Sequence, residues 1–467
     1  MKEIRVKDIL SVTCGELIIG NEDLVCENFS KDTRTIQKGD TYIGIKGENF
    51  DGSSLWKQAL DNGAEAVIIQ NVEITEEEKE KYSNKTIIKV DDTLKALYEI
   101  AKYKRNLYNI PVIAVTGSVG KTSTKDIIAS VVNTKYKTLK TEGNNNNNIG
   151  LPLTILKLKD HEAVVVEMGM NHFGEISLLT DIAKPTLAVI TNIGTSHIGN
   201  LGSRENILKA KLEILEGMQN PEVIINNDND LLHKWYEENK SKIKIHTYGI
   251  QNESEINAKN INLKEESSEF ETVSNLNKNN SENTKHSIKI QVPVGGEHFV
   301  YNALCATEVG RLLGISNQEI QKGIAKFELT QKRMDIRKLE NGAILINDSY
   351  NASYESMKAS LEVLAKHTGT RKIAVLGDMF ELGEYSEELH RKVGKEVAKK
   401  GIDILICAGE NSKYIIEEAK KNKKIQTYFI NNNEQIVEKL SQEIKNGDVI
   451  LVKASNAMKF FEICQKL

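Results

Sequence analysis

Residues 112–123 read VIAVTGSVGKTS, an apolar run followed by a glycine-rich turn and a segment that carries Ile127, Ile128, Val131 and Val132 on one helical face. That order predicts a strand, a tight loop and an amphipathic helix. Glycines in such a loop let successive backbone N–H groups point at phosphate oxygens, and the helix amino terminus adds a favourable dipole. Lys121 brings a cation to the terminal phosphates, and the Thr122 hydroxyl is suited to ligate Mg²⁺. Gly117, Ser118, Val119, Gly120, Lys121, Thr122 and Ser123 are therefore the expected nucleotide cradle. The usual G-x-x-x-x-G-K-S/T spacing would put its first glycine at position 115, which is Val115 here. The glycine sits at Gly117 instead, in a shortened T-G-x-x-G-K-T form. A chance turn is the alternative, and it would have to coincide with a strand before, a helix after and the Lys-Thr pair. The motif does not specify the reaction.

Outward from this loop, polar clusters recur at the ends of expected strands, where ligands bind in open α/β sheets. TEGNNNNNIGLP (Thr141 to Pro152) is either low complexity or a loop of amide donors, with Asn145 and Asn148 as candidate substrate contacts. VVVEMGMNHFGEI ends the strand Ala163 to Val166 with Glu167, either a metal-holding carboxylate or a solvated strand end. TNIGTSHIGNLGSRENILKAKLEI (Thr191 to Ile214) follows the strand Thr186 to Ile190 and carries His197 and Lys211. A lone loop histidine is ordinarily a surface residue; its company with Glu167 and Lys121 marks it as a candidate.

Both flanks also read as α/β. The first hundred residues have strands at Thr41 to Ile45 and Ala66 to Ile69 with a helical Leu55 to Leu60 between them. The charged run Glu76 to Lys81 is expected as a solvated loop or helix end, and the helix Leu94 to Leu107 leads to Pro111. From Ile344 onward, strands at Ile344 to Ile346, Ile373 to Leu376, Ile404 to Cys407, Thr427 to Ile430 and Val449 to Val452 alternate with amphipathic helices such as Ser356 to His367. Such alternation predicts a doubly wound parallel sheet. Between Gln251 and Ser287 the chain is rich in Asn, Ser, Glu and Lys, and Asn275 to Thr284 is expected as a surface loop.

At 467 residues, two or three domains are expected. A net charge of −4 gives no sign of a basic nucleic-acid footprint, and no apolar run approaches the length of a membrane span. Cys14, Cys26, Cys305, Cys407 and Cys464 are scattered and lack C-x-x-C spacing, so each is expected as a small buried hydrophobe in a reducing compartment. With no signal peptide at the amino terminus, a cytoplasmic protein is expected.

DTR (Asp32 to Arg34), KGD (Lys38 to Asp40), IKGENFDG (Ile45 to Gly52), TGSVGKT, GNNNNNIGLP, EMGMNHFGEI, the His197 loop with Lys211, DSYNAS and GDMFELG occur in an order that resembles the Mur ligases of bacterial cell-wall synthesis. The resemblance covers essentially the whole chain, and the last two motifs favour the dipeptide-adding branch. It implies three α/β domains: a small mixed UDP-sugar domain at 1–108, a central P-loop ATPase-like parallel sheet at 109–327, and a Rossmann-like domain at 328–467. It implies ATP as substrate, Mg²⁺ as cofactor, and acyl-phosphate chemistry joining D-Ala-D-Ala to a UDP-N-acetylmuramoyl-tripeptide. Position by position it implies Thr122, Glu167, His197 and Lys211 at the metals, with Lys211 carbamylated and with Lys121, His197 and Lys211 catalytic. Asn302, Arg333 and Asp348 would contact the nucleotide; Thr33, Arg34 and Asn351 would contact substrate. A monomer without nucleic-acid or membrane partners is expected. Three positions depart from the family pattern: Phe299 follows His298 where asparagine is usual, NASY replaces N-A-N-P, and KASN (Lys453 to Asn456) replaces K-G-S-R. A folylpolyglutamate synthase lacks the DTR…KGD unit; a small-molecule kinase leaves His197, Lys211 and the carboxyl-terminal motifs idle, and the intact catalytic set disfavours a nucleotide-regulated binding protein.

Overall fold

The computed structural model describes residues 2–274, 287–330 and 333–467, and the polar stretch Asn275 to Thr284 lies outside them. Three sheets follow one another along the chain. The first contains β1 (Glu16–Ile19), β2 (Phe29–Ser30), β3 (Thr41–Ile43), β4 (Ala66–Ile69) and β5 (Thr86–Lys89) in the order β1-β5-β4-β3-β2, antiparallel only at β1. The run at 76–81 is a helix in its own right, not a loop. Thr75 caps it by accepting from the Glu78 amide at 3.3 Å, while Glu78 accepts from the Thr75 amide at 2.9 Å.

The second sheet has nine strands: β6 (Val112–Thr116), β7 (Thr138–Lys140), β8 (Ala163–Glu167), β9 (Leu187–Ile190), β10 (Glu222–Asn226), β11 (Lys244–Gly249), β12 (Ile256–Leu263), β13 (Ser268–Ser274) and β14 (Lys289–Val292). Their order is β14-β13-β12-β11-β10-β9-β6-β8-β7, parallel from β7 through β12 and antiparallel beyond. Every residue of β6, β8 and β9 is buried, as expected of strands covered on both faces. The chain leaves β6 toward β7 and β8 on one side and returns to β9 on the other, so the loop after β6 opens at a switch point of the strand order. Sequence reading missed β12 and β13: their alternating, polar outer face has no continuous apolar run.

The third sheet joins β15 (Asp335–Lys338), β16 (Ile344–Asn347), β17 (Lys372–Gly377), β18 (Ile404–Ala408), β19 (Gln426–Phe429) and β20 (Val449–Lys453) in the order β15-β16-β20-β17-β18-β19, with only β15 antiparallel. The helix Thr93–Asn106 ties the first sheet's unit to the second. From it, the buried Arg105 donates to the carbonyls of Ala183 (2.7 Å) and Lys184 (3.2 Å). Among the described residues, no helix is long and apolar enough to cross a membrane. Four cysteines are buried, but Cys14 is exposed; it ends the first helix in a left-handed conformation and faces outward.

Candidate active site at the carboxyl ends of the central strands

The loop after β6 is shaped by Thr191 and Asn192, which end β9. The Ser118 amide donates to the Asn192 carbonyl (3.0 Å), the Val119 amide to Asn192 Oδ1 (3.0 Å), and Thr191 Oγ1 to the Val119 carbonyl (2.7 Å). Gly117 has φ +151°, and a Cβ there would fall 1.9 Å from Thr191 Oγ1, so this close approach requires glycine. Gly120, at φ +81°, starts the helix Lys121–Val132. Lys121 Nζ turns back onto the Gly117 carbonyl at 2.9 Å. Burial pulls the Lys121 pKa below the ordinary lysine value; Glu167 partly opposes the shift and Arg333 adds to it.

Thr122 Oγ1 donates to Glu167 Oε2 at 2.8 Å, and Asn146 Nδ2 donates to Glu167 Oε1 at 2.8 Å. Both oxygens of this buried carboxylate are thereby oriented. Cis ligands of an octahedral Mg²⁺ stand about 2.9 Å apart when metal–oxygen bonds are 2.0–2.1 Å. The Thr122–Glu167 spacing suits that hard cation, with the loop amides beside it.

These groups line one cavity of about 900 Å³. Ser118, Val119, Gly120, Lys121, Thr122, Ser123, Glu167, His197, Asn302, Arg333, Asp348, Asn351 and Asn148 all face it. Gly117, Asn145, Lys211, Thr33 and Arg34 are not among its lining residues. Asn145 instead packs under Gly150, and Asn146 holds the carboxylate; within five identical residues only the folded loop sets which one meets Glu167. Asn148 Nδ2 donates to Tyr98 Oη at 3.0 Å. Thr33 is buried beneath a turn of the first unit, and Arg34 is exposed and gripped by Asp32 at 2.9 and 2.6 Å.

Lys211 is buried on the helix Arg204–Leu212, and no carboxylate pairs with it among the described residues. Burial first, and the Lys121 cation second, push its pKa well below the ordinary value. The carboxyl-terminal unit closes the cavity. Asp348 accepts from Lys453 Nζ (2.5 Å) and Ser360 Oγ (2.6 Å), and Arg333 lies over the Tyr350 ring at 4.0 Å. Asn302 Nδ2 and Arg333 Nε are buried donors with no hydrogen-bond partner among the described residues, and both residues face the cavity. Orphaned donors suit a polyanionic ligand such as a nucleotide. The KASN departure has a local account: Lys453 neutralises Asp348, and Asn456 Nδ2 donates to the Tyr350 carbonyl at 3.0 Å. At Phe299, the ring is buried against Phe327 and does not enter the ligand set.

Two contacts across the units escaped sequence reading. Glu355 accepts from the Thr195 amide (2.9 Å) and Thr195 Oγ1 (3.0 Å), and His197 Nδ1 is bonded to Glu381. His197 and Glu381 each adopt a left-handed backbone, at φ 63° and 62°, and the Gly199 amide donates to the Glu381 carbonyl at 3.0 Å. Positive φ outside glycine is the kind of local strain that surrounding contacts must hold.

Comparison with known proteins agrees with this geometry. Three family models match in succession: Mur ligase family, catalytic domain, over residues 28–105; Mur ligase middle domain over 115–310; and Mur ligase, glutamate ligase domain, over 332–456. The UDP-N-acetylmuramoyl-tripeptide–D-alanyl-D-alanine ligase of Bacillus subtilis (strain 168) is 37% identical over 99% of this chain and 98% of its own. The crystal structure of MurF from Acinetobacter baumannii superposes with a TM-score of 0.86 at 27% identity, covering 100% of this chain and 99% of that one. MurF from Thermotoga maritima, solved in complex with ADP, gives 0.80 at 28% identity over 96% of this chain and 98% of that one. With a relative of this identity matched along nearly its whole length, the chain belongs to the Mur ligase family.

Proposed function

We infer that this chain is an ADP-forming peptide ligase that adds D-Ala-D-Ala to a UDP-N-acetylmuramoyl-tripeptide in cytoplasmic peptidoglycan precursor synthesis. The observation that carries this reading is the full-length match to ligases of that name, over 99% of this chain and 98% of the Bacillus subtilis protein. Residue roles rest on the cavity's chemistry and the family resemblance. Residues 1–108 would take the UDP-sugar, 109–327 ATP, and 328–467 the dipeptide, in a monomer.

Joining a carboxylate to an amine in water is unfavourable, because oxide would have to leave. The tripeptide carboxylate oxygen attacks the γ-phosphorus of ATP, the bond to the β-phosphate oxygen breaks, and ADP departs. The resulting acyl phosphate is attacked at its carbonyl carbon by the neutral amine of D-Ala-D-Ala. The nitrogen gives up a proton, and collapse of the tetrahedral intermediate breaks the C–O bond, releasing phosphate and leaving the amide. Two anions meet in the first step, so the site must offset their repulsion. Lys121 and the loop amides would hold the phosphates, while Asn302, Arg333 and Asp348 would position the nucleotide. Thr122 and Glu167 would hold a first Mg²⁺, and His197 with Lys211 would serve a second. Bound Mg²⁺ would neutralise phosphate charge. Burial, then the Lys121 cation, disfavours the charged form of Lys211, and the neutral amine is the form able to take up CO₂ as the carbamate that the family resemblance implies. Thr33, Arg34, Asn145, Asn148 and Asn351 remain the proposed substrate contacts.

The decisive assay is ADP release by the purified chain. Sustained, multiple-turnover release should require both the UDP-muramoyl-tripeptide and D-Ala-D-Ala, and an equal steady rate without the dipeptide would defeat the proposal. Lys121→Ala should lower turnover by roughly 10²-fold or more, the scale of losing one charge-stabilising group.

A further inference from the structure

On the same central sheet, but at the opposite ends of its strands, four ionisable side chains converge away from the cavity. Glu222 opens β10, whose last residue, Asn226, lines the cavity; four residues of strand put about 13 Å between them. His246 lies on the neighbouring β11, and Glu255 immediately precedes β12. Glu308 comes from the helix Glu297–Leu312, six residues or about 9 Å along the axis from the cavity-lining Asn302.

His246 Nδ1 stands 2.8 Å from Glu255 Oε2 and 3.8 Å from Glu308 Oε1, while its Nε2 is 2.9 Å from Glu222 Oε1. One donor atom each from His246, Glu255 and Glu308 lie within 4.8 Å of one another. An imidazolium has two N–H groups, and Glu255 and Glu222 use both. Arg311 reaches Glu308 only at Oε2, 3.3 Å away, and Lys244 serves Glu222 at 2.7 Å. Glu308 is fully buried, and its Oε1, turned toward His246, has no hydrogen-bond partner among the described residues. A buried carboxylate oxygen left bare at the centre of such a cluster calls for a ligand of its own.

We propose that His246 Nδ1, Glu255 and Glu308 form a binding site for a divalent transition-metal ion, separate from the nucleotide cavity. Ligand atoms around a tetrahedral ion with bonds of 2.0–2.1 Å stand about 3.3 Å apart, and the 2.8 and 3.8 Å separations bracket that value. Glu222 on Nε2 supplies the carboxylate–histidine support that fixes a metal-bound imidazole. Three protein ligands leave the fourth position to water. The ion joins β11, the turn into β12 and the helix Glu297–Leu312, cross-linking two neighbouring parallel strands to the helix packed on them. Its role is structural.

The test uses the full chain without nucleotide, titrated with Zn²⁺ and Mn²⁺ against a chromophoric chelator. Wild type should hold one Zn²⁺ per chain. His246→Gln should abolish that site and Glu308→Gln should weaken it 10-fold or more. His233→Gln, a histidine outside the cluster, and Glu167→Gln, in the cavity, should both retain it. Glu255→Gln, at a partly exposed position, is a further variant should either buried substitution disturb the far-ultraviolet dichroism. Wild type that binds neither ion at micromolar concentration overturns the proposal. So does unchanged affinity in folded His246→Gln and Glu308→Gln, or in folded Glu255→Gln. None of these outcomes depends on the ligase reaction.

Discussion

Lys121 and Lys125 stand one turn apart on the same helix and meet opposite surroundings. Lys125 is 1% exposed, bonded to Asp126 at 2.8 Å and to the Thr141 carbonyl at 2.8 Å; Lys140 and Thr330 complete the carboxylate at 2.8 and 2.6 Å. Among the described residues, Lys121 reaches only the loop's own carbonyls. Lys211, buried without a carboxylate among the described residues, repeats the second pattern, and Lys453, paired with Asp348, repeats the first. On the flank of the helix, charge is neutralised locally to keep the fold. In the loop after β6, Lys121 has no carboxylate hydrogen-bonded to it among the described residues, which favours an anion arriving from outside.

Substitution at each lysine can break that contrast. Lys125→Met leaves the buried Asp126 with only the half-exposed Lys140 and a hydroxyl, so the central unit should lose about 3 kcal/mol, the low end for a broken buried pair. Lys121→Met should cost the fold nothing while lowering turnover. Trp235 fluorescence in urea, measured in a Trp56→Phe background, reports the central unit alone. Equal stability losses in the two variants would erase the distinction.

The cavity wall offers a second handle. Burial pushes His298 down to about 4; Asp348 opposes the shift and Lys453 reinforces it, and Glu362 also faces the ring. Above the ordinary value of 6.5 both folded and unfolded imidazoles are neutral, and nothing is lost. As pH falls, the unfolded chain takes the proton first, so stability declines through the window from 6.5 to about 4. At pH 5 the expected loss is about 2 kcal/mol. His298→Phe should flatten this acid limb in paired denaturation curves at pH 5 and pH 7.5. An unchanged slope would mean that the ring is hydrated and can charge in place.

What could be read from sequence was local. β6, β8 and β9 are uninterrupted apolar runs, and Gly117, Lys121 and Thr122 sit within a few residues of the strand that presents them. Glu167 was legible for the same reason. Asn146 was not, because a run of five asparagines has no internal phase until Glu167 selects one. The pairings of His197 with Glu381 and of Asp348 with Lys453 join residues 184 and 105 positions apart, which no local pattern encodes. β12 and β13 went unread because half their side chains are solvated, and an alternating polar strand resembles a loop.

The smallest effect is the sharpest control. Lys140 contacts the same Asp126 oxygen as Lys125, at the same 2.8 Å, but its side chain is 46% exposed. A cation already in water loses little hydration on forming the pair and gains little Coulomb energy, so Lys140→Ala should cost only about 0.5 kcal/mol. Screening separates the two further. A Debye length of about 3 Å at 1 M salt reaches the exposed pair and not the buried one, so added salt should erase the Lys140 effect and leave the Lys125 effect intact. If both losses shrank in parallel with salt, Lys125 would be solvated like Lys140. Burial would then no longer distinguish the lysine that holds the helix from the one a turn away that faces the cavity.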